Sequence, residues 1–227
     1  MIRRTPDATS DHVASDVSRI TQLMDPDPST DRPNLLRGHG MDRRFFLPRL
    51  PREYYQGDAV VHWTLPIALR GTGWLDEKFH ARFREMLLHA AAREALFCPT
   101  YCLMPDHMHL IWMGLRLDTD QRNGMKFLRE HLGPALRPHQ FQHLPHDHVL
   151  REHERKRNAF ASVCHYILEN PYKAELIPRH KHWDYCGAVA PGYPTLHPSQ
   201  PDFWPKFWKL YVAARAPNAG HINRPPL

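Results

Sequence analysis

The sequence predicts an α+β domain: a four-stranded antiparallel sheet with helices on one face, in the order β-α-β-β-α-β, followed by a further helix. Three observations carry this. Two apolar runs, Tyr101–Met104 and Leu110–Met113, flank Pro105-Asp106, a turn signal between two strands of a hairpin. Upstream, Phe79, Phe83, Met86, Leu87 and Ala90 recur at helical spacing, and downstream Met125, Leu128 and Leu132 do the same. Short β-branched or aromatic segments stand before the first of these helices and after the second.

Taken in order, Ala59–Leu65 (AVVHWTL) reads as a buried strand and Pro66–Gly73 as a loop. Asp76 precedes a helix running to about Leu96. The hairpin follows, its second strand opened by His107 and His109. Thr119 or Asp120 caps a second helix, Gln121–Leu136. A fourth strand is expected around His146–Leu150. A third helix runs from Lys156 to about Leu168, with Pro171 and Pro178 punctuating what comes after. Phe203–Arg215 forms a short amphipathic helix. The order is that of the ferredoxin-like split βαβ arrangement.

The flanks differ in composition. Residues 1–50 are rich in Asp, Ser, Thr, Pro and Arg and bury too little surface to offset the entropy of ordering, so they read as a disordered leader with a short helix at Asp11–Met24. Met41–Tyr55 alternates basic and aromatic residues. It suits an arm that stacks on bases and neutralises phosphate, or a lead-in whose Phe45, Phe46 and Tyr54 dock on the core. The folded domain is expected over residues 51–190, and 191–227 reads as a Pro- and aromatic-rich extension with a loose last dozen residues. A net charge of +6 suits an anionic partner. Four cysteines without a C-x-x-C pattern read as reduced, buried thiols of a cytoplasmic protein. Nothing reads as a signal peptide or membrane span.

Residues two apart on a strand project to the same side, so the imidazoles of His107 and His109 leave one face together and form half of a metal site. By itself such a pair says little in a chain with 18 histidines. A second stretch, Val163–Ile177 (VCHYILENPYKAELI), adds to it: Tyr166 and Asn170 are four apart and share one face of a helix. Together, LMPDHMHLIW and HYILENPYKAELI resemble the HUH single-tyrosine transposases, in their REP-associated tyrosine transposase branch, over roughly Asp58 to Pro194. The first block matches that family's His-hydrophobic-His strand and the second its tyrosine helix.

The resemblance implies a DNA strand-transfer enzyme that acts on single-stranded or hairpin DNA, on short palindromic repeats, as a monomer or homodimer. Tyr166 would be the nucleophile, forming a 5′-phosphotyrosine bond. His107, His109 and Asn170 would hold a divalent metal, Mg²⁺ or Mn²⁺, whose remaining positions go to water and phosphate oxygen. Asn170 precedes Pro171, where the helix is expected to fray. Asp106 would orient a histidine or simply form the turn. Lys126 and the run Arg179, His180, Lys181, His182 are candidate DNA contacts, Arg179 and Lys181 foremost, and Arg151–Arg157 reads as a solvated helix start. His146 and His148 form a second H-x-H, read as an edge-strand pair. No nucleotide cofactor is implied, since no phosphate-binding G-x-x-x-x-G-K-[ST] occurs. Two other readings stand beside this one: a hairpin-binding protein that does not cleave, and a metal-dependent hydrolase of the barrel type, which the length and pattern disfavour.

Overall fold

The structure, a computed structural model, describes residues 49–155 and 159–215. The expectations for the leader, for Phe45 and Phe46, for Lys156 and Arg157 and for the last dozen residues lie outside the described residues. The chain falls into two units, Met1–Leu50 and Pro51–Leu227, and every element below belongs to the second.

Among the described residues five strands form one sheet: β1 (Val60–Pro66), β2 (Leu96–Met104), β3 (His107–Gly114), β4 (His146–Val149) and β5 (Cys186–Val189). Their order is β4-β1-β3-β2-β5, with every neighbouring pair antiparallel. Helices α1 (Glu77–Glu94) and α2 (Gln121–Leu132) complete the split βαβ frame, followed by α3 (Ala159–Lys173) and α4 (Phe203–Arg215). The predicted fold class holds, and β5 adds a fifth strand along the β2 edge.

Residues opposite one another in an antiparallel register share a face. Tyr101, Leu110 and Trp63 lie on one rung of one face. There α1 places Phe83 with its ring 5.1 Å from that of Tyr101, and α2 places Gln121, whose Oε1 accepts a hydrogen bond from Trp63 Nε1 at 3.1 Å. The other face carries His62 and Thr64 of β1, His107 and His109 of β3, and Cys102 of β2. It is covered by α3, which brings Tyr166 to 5.9 Å from His109 and 6.3 Å from His62, ring to ring. The expected helices thus share one face, and the tyrosine helix takes the opposite one. The reason is written in β2 and β3, which are buried along almost their whole length; a doubly covered strand reads as a continuous apolar run such as Leu96–Met104.

Boundaries differ where local chemistry overrides periodicity. Strand β2 starts at Leu96, five residues before the expected Tyr101, because Ala95 ends α1 in the left-handed region (φ 51°) and turns the chain straight into the sheet. Pro99 can donate no ladder hydrogen bond, and the register on both sides of β2 shifts around it. Asp76 caps α1 by accepting from Phe79 N at 2.7 Å, and Asp120, rather than Thr119, caps α2 by accepting from Arg122 N at 2.9 Å. In the lead-in it is Tyr55 that docks, fully buried with its hydroxyl 2.5 Å from Asp147 Oδ2, whereas Tyr54 is 44% exposed. Both tyrosines lie in one short 3-10 turn, Arg52–Tyr55, too short for a periodicity that would tell which of them faces the sheet. Helix α4 spans the expected residues, with Phe203, Phe207 and Tyr211 buried.

Candidate active site

His107 and His109 open β3, and the pleat turns both rings to the α3 face. Their Nε2 atoms lie 2.9 Å apart. The outer nitrogens of the two rings are each held. His107 Nδ1 donates to Asp106 Oδ1 at 2.6 Å, and the other carboxylate oxygen of Asp106 pairs with Arg70 Nη2 at 2.8 Å. Burial by itself would raise the Asp106 carboxyl, but the His107 ring and the Arg70 guanidinium outweigh it and hold the group below its ordinary value. His109 Nδ1 sits 3.1 Å from both His62 Nε2 and Thr64 Oγ1. With the outer nitrogens carrying the protons, two lone pairs face each other across 2.9 Å. A shared proton or a bound cation satisfies both, and imidazoles anchored through their second nitrogens are the usual support of a metal ligand pair. The donor set therefore fits a divalent cation.

Tyr166 lies beside this pair, 9% exposed, with Lys173 Nζ 4.8 Å over its ring. Lys173 follows by seven residues, two turns along α3, so the cation and the phenol share a helix face. The helix does not fray at Asn170 but continues through Pro171 to Lys173. A proline inside a helix leaves the carbonyl four residues back without its N–H partner, here that of Ile167. Asn170 Nδ2 fills that role, donating to Ile167 O at 3.4 Å and to Tyr166 O at 3.0 Å. Asn170 thus holds together the turn that carries Tyr166.

The remaining candidates separate. Lys126 is on α2, which covers the face opposite His107, and its Nζ lies 3.9 Å from Glu130 Oε1. Arg179 and Lys181 follow α3. Arg179 Nη1 pairs with Glu169 at 2.9 Å, and the Lys181 carbonyl accepts from Tyr172 Oη at 3.0 Å. The His146/His148 strand is indeed an edge strand, with His148 paired to Glu154 at 3.1 Å. His62, Thr64 and Arg70 also belong to the site, though no local motif marks them. The alternation His62-x-Thr64 was visible in β1, but only the β1–β3 register brings it opposite Ile111 and His109.

Burial, with like-charge partners His148 and His107, lowers His62 from 6.5 to about 3. Burial, then His62 and His107, takes His109 well below its ordinary value. Unfolded, His62 binds a proton near 6.5, and folded only near 3. The stability contributed by the neutral ring is thus complete above about 6.5 and is lost as pH falls from there toward about 3. In chelator-treated protein the urea midpoint should fall between about pH 7.5 and about pH 5, and His62→Gln should flatten that dependence. An unchanged slope in the variant would assign the pH dependence to other groups.

No family model matches the chain, and no curated protein matches it by sequence. Among solved structures, the fold is similar to that of a REP-associated tyrosine transposase bound to a REP hairpin. The TM-score is 0.50 at 19% sequence identity, covering 61% of this chain and 82% of that one. At that identity the likeness is one of fold.

Proposed function

We propose that this chain is a metal-dependent enzyme of the HUH single-tyrosine kind, cleaving and rejoining single-stranded or hairpin DNA through a covalent 5′-phosphotyrosine. The observation that carries the reading is the convergence of Tyr166 from α3 on the His107/His109 pair from β3, 5.9 Å ring to ring from His109. The similar structure, solved with a REP hairpin bound, supports hairpin DNA as the substrate class.

In this reading His107, His109 and the Asn170 amide oxygen would hold Mg²⁺ or Mn²⁺, which when bound supplies Lewis-acid polarisation of the scissile phosphate. Asp106, steadied by Arg70, fixes the tautomer of His107, and His62 with Thr64 fixes that of His109. Tyr166 Oη attacks phosphorus as its proton passes to solvent water, which returns a proton to the leaving 3′ oxygen. The O–P bond to the 3′ oxygen breaks, that oxygen leaves as a 3′ hydroxyl, and the 5′ phosphate stays on the tyrosine. Reversal by a 3′ hydroxyl rejoins the strand. Arg179 and Lys181, after the tyrosine helix, would contact phosphates, and Lys126, on the helix across the sheet, would be a more distant contact.

The test uses labelled single-stranded hairpins from palindromic repeats near the gene, with Mg²⁺ or Mn²⁺, resolved on denaturing gels. Metal-dependent cleavage with a protein-linked 5′ product is expected. Binding without any cleavage would favour the hairpin-binding protein that does not cleave. Affinity should fall steeply with salt, log K dropping by roughly 0.7 per neutralised phosphate for each decade of salt. A flat response would count against a phosphate-dominated groove.

A further inference from the structure

Three residues around the edge strand β5 converge: His182 in the loop after α3, Cys186 at the first position of β5, and His197 in the loop beyond it. One ligand atom from each lies within 4.8 Å of the others. The two imidazoles stand 5.3 Å apart, centroid to centroid. His197 Nε2 donates to the Cys186 carbonyl at 3.2 Å, and its Nδ1 accepts from Ser199 N at 3.2 Å and lies 2.7 Å from Ser199 Oγ, so ligation through Nε2 moves the ring proton to Nδ1, where Ser199 Oγ accepts it. Cys186 Sγ is buried and lies 3.1 Å from the Trp183 carbonyl, so its side chain is turned back toward the loop that carries His182. His182 is exposed.

We propose that His182, Cys186 and His197 form a second metal site, separate from the His107/His109 pair, that takes a thiolate-preferring transition metal, Zn²⁺ by donor chemistry. One sulfur and two imidazole nitrogens suit a tetrahedral ion with a fourth position for water; they are a poor set for Mg²⁺, which prefers oxygen. Metal–ligand bonds of about 2.0–2.3 Å bring tetrahedral ligand atoms to about 3.4–3.7 Å of one another, so the cluster closes by about an ångström, a movement the His182 side chain can supply. Binding replaces the Cys186 thiol proton, and one proton leaves to solvent per ion. The site shares no residue with the first. Cys186 pairs with Cys102, which pairs with His109, so it stands two strands away, about 10 Å.

The ion would tie both flanks of a four-residue edge strand whose pairing with β2 is irregular. It would also fix the loop carrying Arg179, His180 and Lys181, held on its other side by the Tyr172 hydroxyl on the Lys181 carbonyl. The site does not depend on the strand-cleavage reading.

The test adds Co²⁺ alone to full-length, chelator-stripped protein under a phosphine reductant. A thiolate-to-Co²⁺ charge-transfer band and intense four-coordinate visible bands should saturate at one equivalent. The bands should persist when His107 and His109 are both alanine, a pair that offers no sulfur, and vanish in Cys186→Ser. His182→Ala, at an exposed position where folding is not at stake, should weaken Co²⁺ binding by roughly tenfold or more, since even outer partners of metal ligands cost that much. Absence of the charge-transfer band in the wild-type protein, its survival in Cys186→Ser, or an unchanged affinity in His182→Ala would each overturn the proposal.

Discussion

Tyr166→Phe should fold, bind a single-stranded hairpin and give no covalent protein–DNA adduct, where the wild-type protein with Mg²⁺ or Mn²⁺ gives one that survives denaturation. The substitution keeps the ring, its contacts with His109 and His62 and the Lys173 cation above it, and removes only the oxygen. Its cost in stability should be that of about one hydrogen bond, roughly 1 kcal/mol, within easy reach of a urea titration. Its cost in chemistry is total, because without the phenol oxygen no phosphotyrosine can form. Tyr172 and Tyr185 are the other tyrosines of the region. The Tyr172 hydroxyl is bound to the Lys181 carbonyl, and the Tyr185 ring packs against His80 and Trp183, away from the histidine pair. Substituting either should leave the adduct in place.

Replacing His107 and His109 together with alanine should abolish cleavage and leave hairpin affinity within a few-fold. Losing the metal's polarisation of the phosphate removes several kcal/mol of transition-state stabilisation, on the order of a thousandfold in rate or more. Binding draws on phosphate contacts and stacking, which the two imidazoles do not supply. His109 is buried and tied to β1, so a circular-dichroism melt must accompany the double variant. His107→Ala alone, at the more exposed position, should show the same loss of cleavage with less effect on the melt. A chelator should do the same, abolishing cleavage and leaving binding within a few-fold. Equal loss of binding and cleavage would instead make the pair a structural element.

Much of this arrangement was legible in the chain because its signals are local. The His-x-His alternation put both imidazoles on one face, and the i, i+4 spacing put Asn170 one turn from Tyr166. What the sequence left open depended on register and layering. His62 and Thr64 sit some forty-five residues before His109, and only the β1–β3 pairing makes them its hydrogen-bond partners. The fifth strand is four residues long and rich in small side chains, too short to announce itself by periodicity. Pro171 was expected to mark the end of the tyrosine helix. It does not, because the Asn170 side chain supplies the donor that the proline lacks, a compensation visible only once the carbonyls of Tyr166 and Ile167 are in place.

The central claim is that Tyr166 is the atom donor to DNA, and peptide mapping of the adduct tests it most directly. Trypsin releases residues 158–173 as one peptide that contains both Tyr166 and Tyr172. After nuclease trimming, fragmentation by mass spectrometry should place the residual nucleotide on Tyr166. A nucleotide on Tyr172, or on any peptide outside residues 158–173, would contradict the account.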